Sequence, residues 1–469
     1  MCKGKYVMQD WKKLNKIHCL GIGGIGVSAL AEILVKQGCK VSGSDVAKNR
    51  NTQYLEKLGV TVHLGHQVDE VLTADAVIYS SAIAEDNPEY LAAKQAGVPL
   101  IKRGKALAEI MRSYKGIAVA GTHGKTTTSG LIAYTLLTAD FDASYVVGGL
   151  LNGYESPACL GSGDLFVAEA DESDASFLYM SPKYAVVTNI DADHLETYGG
   201  DFKALQRSFV DFMQSVPQDG AVIACIDDPI VKRLSAELTV PVVTYGFDTE
   251  ADYSVENFVQ EGTETRFGVR RQGLGWLTVS LNLPGRHNVL NSLAAIAVAD
   301  KVGVPEQKVA VALKSFPGMG RRFQHRGDIR LKEGGAQVFE DYGHHPREIA
   351  ATLAAARLAW PEKRVVMIFQ PHRYSRTRDL LQDFINVLKE VDCLILLDVY
   401  SAGEAPIAEV GSDKIVDMLS AVRNSESSVT YLPDVQQLRG LLQEKLTSQD
   451  VVILQGAGSV GALAMELVN

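Results

Sequence analysis

The chain has 469 residues, of which 46% are hydrophobic and 22% charged, with a formal net charge of −10. That length exceeds what one hydrophobic core serves and predicts two to four domains. The acidic balance, with no Lys/Arg cluster, excludes a general nucleic-acid binder. No stretch approaches the roughly 18 to 20 apolar residues that span a bilayer, so no membrane partner is expected. The opening Met1–Tyr6 leads into polar residues rather than an apolar leader. Six scattered cysteines (Cys2, Cys19, Cys39, Cys159, Cys225 and Cys393) include no C-x-x-C pair and fit reduced thiols, not a disulfide frame or a zinc site. A soluble cytoplasmic enzyme is the expectation.

The first hundred residues alternate strand and helix as a small parallel α/β unit, with strands at 16–20, 39–44, 61–64, 76–79 and 98–101. Gly21-Ile22-Gly23-Gly24-Ile25-Gly26 separates the first strand from a helix running to Gly38, and Asp45 ends the second strand. This G-x-G-x-x-G spacing can seat a pyrophosphate on a helix N-terminus, or serve only as a tight turn. Gly456–Gly461 repeats the pattern at the far end of the chain, so at least one copy is expected to be a packing turn.

The middle segment opens with a buried strand at 116–120, the loop Gly121-Thr122-His123-Gly124-Lys125-Thr126-Thr127-Thr128, and a helix. Glycines let backbone N–H groups close on phosphate oxygens, Lys125 reaches the β- and γ-phosphates, and the Thr126 hydroxyl suits Mg²⁺. A plain helix-capping turn is the competing reading, outweighed by Gly-Lys-Thr-Thr following a clean strand. Val119 stands where the common pattern has its first glycine, so the loop is a shortened form. The strand at 164–170 ends in Glu169, Asp171, Glu172 and Asp174. Carboxylates there can ligate the metal of Mg–ATP, Glu169 best of all, while others cap the next turn. The strand at 185–190 ends in Asp191, Asp193 and His194, the last either a second metal ligand or structural. Strands at 221–225 and 242–245 precede β-ribbons over 251–284 and helices at 288–302 and 305–315. In the cluster Pro284–Asn291, Asn288 suits a cap and Asn291 a base edge.

Pro317-Gly318-Met319-Gly320 reads as a linker. A third α/β unit follows, with strands at 336–341, 364–369, 393–397 and 451–454. Glu340–Pro346 and Gln370–Arg376 end two strands read as neighbours, and their His and Arg side chains suit a carboxylate-bearing substrate.

The chain resembles the Mur ligases of bacterial cell-wall synthesis. The likeness is carried by Gly21–Gly26, Tyr79–Ile83, Ala120–Thr128, Ala168–Phe177, Thr188–Tyr198, Pro284–Asn291, Gly320–Phe323, Asp341–Pro346, Phe369–Arg376, Val399–Pro406 and Gln455–Gly461, in the family's order from end to end. The shortened loop is the form these ligases use. The resemblance implies an α/β protein of three domains. A Rossmann-like UDP-sugar domain would cover 1–106, a P-loop ATPase-type sheet with helices 107–316, and a Rossmann-like ligase domain 317–469. It implies that Gly21, Gly23, Gly24, Gly26, Asp45, His66, Ser80 and Ser81 bind the UDP-sugar. ATP would lie on Gly121, Thr122, His123, Gly124, Lys125, Thr126 and Thr127, with Asn291, Arg322 and Asp341 completing its site. Thr126, Glu169 and His194 would hold Mg²⁺. Tyr342, His344, Arg373 and Arg376 would gather at the amino acid, and Lys125, His194 and His344 would be catalytic.

Several relatives carry a modified lysine near the second metal; Ser173–Phe177 offers none, which fits the alanine-adding branch. The implied reaction joins L-alanine to the lactyl carboxylate of UDP-N-acetylmuramate at the expense of ATP, in a monomer or homodimer. The alternatives are a recycling ligase adding a tripeptide to the same sugar, an NAD-dependent oxidoreductase built on Gly21–Gly26 and Asp45, and a P-loop ATPase driving movement.

Overall fold

The computed structural model describes residues 11–331, 334–422 and 427–468. Cys2 and the Met1–Tyr6 segment lie outside them, and the five described cysteines are free thiols. Among the described residues no helix is long and apolar enough to cross a membrane.

The first sheet has the order β3-β2-β1-β4-β5, from β1 (Lys16–Leu20), β2 (Lys40–Asp45), β3 (Thr61–Leu64), β4 (Ala76–Tyr79) and β5 (Leu100–Lys102). All its pairings are parallel, so the C-terminal strand ends and their loops share one edge. The second sheet contains β6 (Lys115–Ala120), β7 (Ser144–Val146), β8 (Ala158–Cys159), β9 (Leu165–Glu169), β10 (Tyr184–Val187), β11 (Ala221–Cys225), β12 (Val242–Gly246), β13 (Tyr253–Glu261), β14 (Glu264–Arg271) and β15 (Gly275–Leu281). Its order is β15-β14-β13-β12-β11-β10-β6-β9-β7-β8. Strand β6 lies between β9 and β10, parallel to both, so the acidic end of β9 and the polar end of β10 flank the glycine loop that follows β6. The third sheet joins β16 (Gln324–Arg330), β17 (Gly335–Asp341), β18 (Arg364–Phe369), β19 (Cys393–Leu396), β20 (Ser428–Tyr431) and β21 (Asp450–Gln455) in the order β16-β17-β21-β18-β19-β20.

The chain divides into two compact units. One comprises the residues up to Glu256 with 268–278 and 290–317; the other comprises 257–267, 279–289 and everything from Gly318. The central parallel strands, such as β6, β11, β18 and β19, are buried on both faces and read as apolar runs, the signature of α/β layering. In the second unit, Val365, Met367 and Phe369 pack against Phe384 and Leu388 on one face of β18. Val366 and Ile368 meet Leu442 and Val460 on the other.

The sequence reading missed β7, β8, β16 and β20. Three of these are sheet edges, where strands are short or polar and little burial imposes a pattern. It also took β17 and β18 for neighbours, but β21 runs between them.

Candidate active site

The glycine loop after β1 is built to bring backbone close to other groups. A Cβ on Gly23 would lie 2.6 Å from Asn49 Nδ2, and one on Gly26 would lie 2.7 Å from Arg103 Nη1. Asp45 turns inward: one carboxylate oxygen accepts the Gly23 N–H at 2.8 Å and the other accepts the Ala47 N–H at 3.2 Å. In a dinucleotide-binding domain this acid would face a ribose; here it holds the loop. Gly24, Gly26, Ser80, Ser81 and Arg103 line a pocket of about 350 Å³ whose far wall is Gly148, Glu169 and Asp171. One cavity thus joins the first glycine loop to the acidic end of β9. His66 sits beyond β3 and contacts Glu89 at 3.1 Å.

The loop after β6 owes its shape to the end of β10. Gly121 has φ +132°, and a Cβ there would lie 2.1 Å from Thr188 Oγ1. The Thr122 N–H donates to Asn189 O, the His123 N–H to Asn189 Oδ1, and the Asp191 N–H to the Thr122 hydroxyl. Asn189 and Thr188 side chains both donate to His123 O. The polar strand end thus clamps the loop as well as leading to His194, which sits at φ +55° with its Nε2 3.6 Å from Asp193. Gly124 has φ +83°, and its missing Cβ leaves room for Asn291, whose Oδ1 accepts the Thr128 hydroxyl at 3.1 Å.

Lys125 Nζ donates to Gly121 O at 2.6 Å, Thr122 O at 3.1 Å and Glu172 Oε1 at 2.9 Å. Burial pushes the Glu172 carboxyl up to about 7 despite the pull of Lys125, while the acids around Lys125 hold its ammonium charged. The Thr126 hydroxyl lies 3.0 Å from Glu169 Oε2, which also accepts the Gly148 N–H at 2.8 Å. A hydroxyl and a carboxylate converging on one point are hard oxygen donors and fit Mg²⁺. Asp171 pairs with Arg103 at 3.0 Å. Arg103 carries no signal in the sequence. Glu172 is one of four acids at the end of β9, and only the Lys125 contact singles it out.

In the second unit, Asp341 ends β17 and accepts from Phe323 N, Gly343 N and Gln455 Nε2. The guanidinium groups of Arg321 and Arg322 lie 4.9 and 5.1 Å from the Tyr342 ring centroid. His344 lies 5.4 Å, ring to ring, from His372, and Arg376 Nη1 lies 3.5 Å from His372 Nδ1. Tyr342, His344 and Arg376 therefore cluster, and the His344–His372 contact reaches across the end of β21. Burial lowers His344 and His372 to about 4 each, reinforced by the neighbouring arginines. Arg373 has φ +69° and lies 3.9 Å from Glu404. Glu348, absent from the sequence reading, accepts the His344 and His345 N–H groups and lies 3.8 Å from Arg322.

The Gly456–Gly461 repeat is a packing turn. Arg321 Nη2 donates to Gly456 O and Gly458 O, and Gln370 Oε1 accepts the Val460 N–H. A Cβ on Gly461 would lie 2.3 Å from Glu340 Oε1. Gln370 and Glu340 thus pack against this turn where the glycines leave room.

The Mur ligase family catalytic domain matches residues 16–115, the Mur ligase middle domain 119–299, and the Mur ligase glutamate ligase domain 321–458. A Coxiella burnetii protein named UDP-N-acetylmuramate--L-alanine ligase is 51% identical over 461 residues, covering 98% of this chain and 99% of that protein. The crystal structure of UDP-N-acetylmuramate-alanine ligase MurC from Thermotoga maritima superposes with a TM-score of 0.81 at 30% identity, over 97% of this chain and 98% of its own. The murein peptide ligase of Psychrobacter arcticus follows the same fold with a TM-score of 0.69 at 24% identity, covering 97% and 98%. Identity across nearly the whole of both chains, with all three domains matched in order, places this chain in the Mur ligase family.

Proposed function

We propose that the chain is an ADP-forming ligase that joins L-alanine to the lactyl carboxylate of UDP-N-acetylmuramate, as a cytoplasmic step of peptidoglycan precursor synthesis. The observation that carries this reading is the single pocket running from Gly24, Gly26, Ser80 and Ser81 to Glu169 and Asp171. A UDP-sugar held by its pyrophosphate at the glycine loop directs its carboxylate toward the nucleotide loop. The 51% identity to a protein of that name supports the choice of substrates. The roles by segment are UDP-sugar binding by 1–106, ATP binding by 107–316 and amino-acid capture by 317–469.

The carboxylate attacks the γ-phosphorus of ATP, forming an acyl phosphate and ADP. The amine of alanine then attacks the acyl carbon, and the tetrahedral intermediate expels phosphate to leave the amide. The first step brings two anions together, so its barrier is largely electrostatic. Lys125 leaves Glu172 and the Gly121 and Thr122 carbonyls for the β- and γ-phosphates, with Gly121–Thr127 supplying N–H donors. Thr126, Glu169 and His194 would hold Mg²⁺, which screens phosphate charge when bound. Asn291, set against Gly124, faces the nucleotide; Arg322 and Asp341 are assigned to the nucleotide by the family resemblance. Tyr342, Arg373 and Arg376 bind alanine. His344 has too low a basicity to strip an ammonium; as a neutral acceptor it orients the amine.

The NAD reading leaves the Gly121–Thr128 loop without a role. ADP release, followed with and without UDP-N-acetylmuramate and with each candidate amino acid or the tripeptide, tests the proposal. Turnover that requires the sugar and is fastest with L-alanine is expected. Faster turnover with the tripeptide would make it a recycling enzyme, and ATP hydrolysis indifferent to the sugar would refute ligation.

A further inference from the structure

Beneath the first sheet lies a carboxylate that the reaction does not use. Glu89, on the first turn of the helix Pro88–Ala96, is 1% exposed. Its Oε1 accepts the Gln67 N–H at 3.0 Å and meets His18 Nε2 at 3.0 Å; its Oε2 accepts the Ser44 hydroxyl at 2.7 Å and meets His66 Nδ1 at 3.1 Å. A buried carboxylate is costly unless its lone pairs are filled, and these four donors hold it down at about 2.

The donors are not scattered. Ser44 immediately precedes Asp45, which holds the glycine loop; His66 and Gln67 follow β3; and Glu89 itself follows the Ser80–Ser81 loop. Each of these segments carries a residue assigned to the UDP-sugar. Of the four donors only His66 reaches outward, with 46% of its side chain exposed. An ionised carboxylate only accepts, so His66 Nδ1 carries the proton, and in the neutral ring Nε2 is left as an acceptor.

We propose that Glu89 is a positioning residue of the UDP-sugar site: by accepting His66 Nδ1–H it fixes the imidazole in the tautomer whose Nε2 accepts a hydrogen bond from a donor on the nucleotide. The proposal rests on the reading that His66 contacts the UDP-sugar.

The test uses the full chain with ¹⁵N-labelled histidine, His66 being identified by its loss in His66→Gln. The wild type is expected to show His66 protonated at Nδ1; a His66 protonated at Nε2 overturns the proposal before any Glu89 variant is made. Glu89→Gln, which keeps the shape, is expected to mix the tautomers and raise the KM for UDP-N-acetylmuramate about tenfold, with kcat and the KM for ATP unchanged. His66→Gln is expected to raise the same KM, and the double variant to be no worse than His66→Gln alone. A shifted tautomer with unchanged KM, or a parallel loss of kcat and ATP affinity, overturns the positioning role. Failure of the His66 assignment gives a different result: His66→Gln leaves the sugar KM untouched.

Discussion

Lys125→Ala separates the chemistry of the nucleotide loop from its role in stability. The lysine is 14% exposed and makes three short hydrogen bonds, one of them to a Glu172 side chain that is 2% exposed. Glu172 Oε2 already lacks a partner, so removing Lys125 strands a buried charge, at a typical cost of about 3–5 kcal/mol. The carboxyl limits that cost by taking up a proton, since burial holds it near 7 even with Lys125 in place. A carboxyl raised above its unfolded value of 4.5 binds a proton that the unfolded chain has released. Its stabilisation is therefore complete below pH 4.5 and lost as pH rises through about 7 in the wild type. In Lys125→Ala the window extends to higher pH, and stability should keep falling by up to about 1.4 kcal/mol per pH unit.

Adding Glu172→Gln removes the stranded charge and should return stability at pH 8 to within about 1 kcal/mol of the wild type. It cannot return the phosphate contact proposed for Lys125. Both variants should form ADP at least about a hundredfold more slowly, the usual effect of losing one preorganised donor. Urea midpoints at pH 6 and pH 8, ADP release, and calorimetric binding of UDP-N-acetylmuramate measure the three quantities. Sugar affinity should stay within about twofold, because Lys125 is not among the residues lining the pocket proposed for the sugar. A double variant that regains turnover, or sugar affinity that collapses with activity, would refute the reasoning.

Gly121→Ala places a methyl 2.1 Å from Thr188 Oγ1 at φ +132°; the ATP KM should rise at least about tenfold, and an unchanged KM would contradict the loop assignment. Gly461→Ala drives a methyl into Glu340. It should destabilise by about 1–3 kcal/mol while leaving the ATP and UDP-sugar KM values alone, and a nucleotide-specific defect would revive the second glycine motif as a phosphate site. His344, lowered to about 4, stays neutral when the unfolded imidazole at 6.5 gains its proton. Its contribution is present above pH 6.5 and lost as pH falls toward 4, by up to about 3 kcal/mol. His344→Asn should flatten that part of the stability profile, and the activity profile should carry no His344 ionisation between pH 6 and 9. Glu169→Gln should raise the Mg²⁺ concentration for half-maximal ADP release about tenfold; an unaltered Mg²⁺ requirement would remove Glu169 from the metal site.

The sequence by itself determined whatever depends on a few consecutive residues. Gly-Lys-Thr after an apolar strand marks a loop that opens a helix, and acids at the end of an apolar run must leave the sheet where that run ends. Most parallel strands were legible for the same reason: burial on both faces writes an unbroken apolar stretch into the chain. Tertiary structure decided how similar side chains divided their work. Glu169 turns to Thr126 and Glu172 to Lys125, although they stand three residues apart on one acidic segment. Asp45 closes on Gly23, and the second glycine turn is filled by Arg321 and Gln370. Strand β21 enters between β17 and β18 from more than eighty residues downstream of β18. The edge strands β8, β16 and β20 left no pattern to read. Local patterns record backbone geometry and burial, whereas the partner of a buried charge depends on which distant strand ends the fold brings within hydrogen-bonding distance.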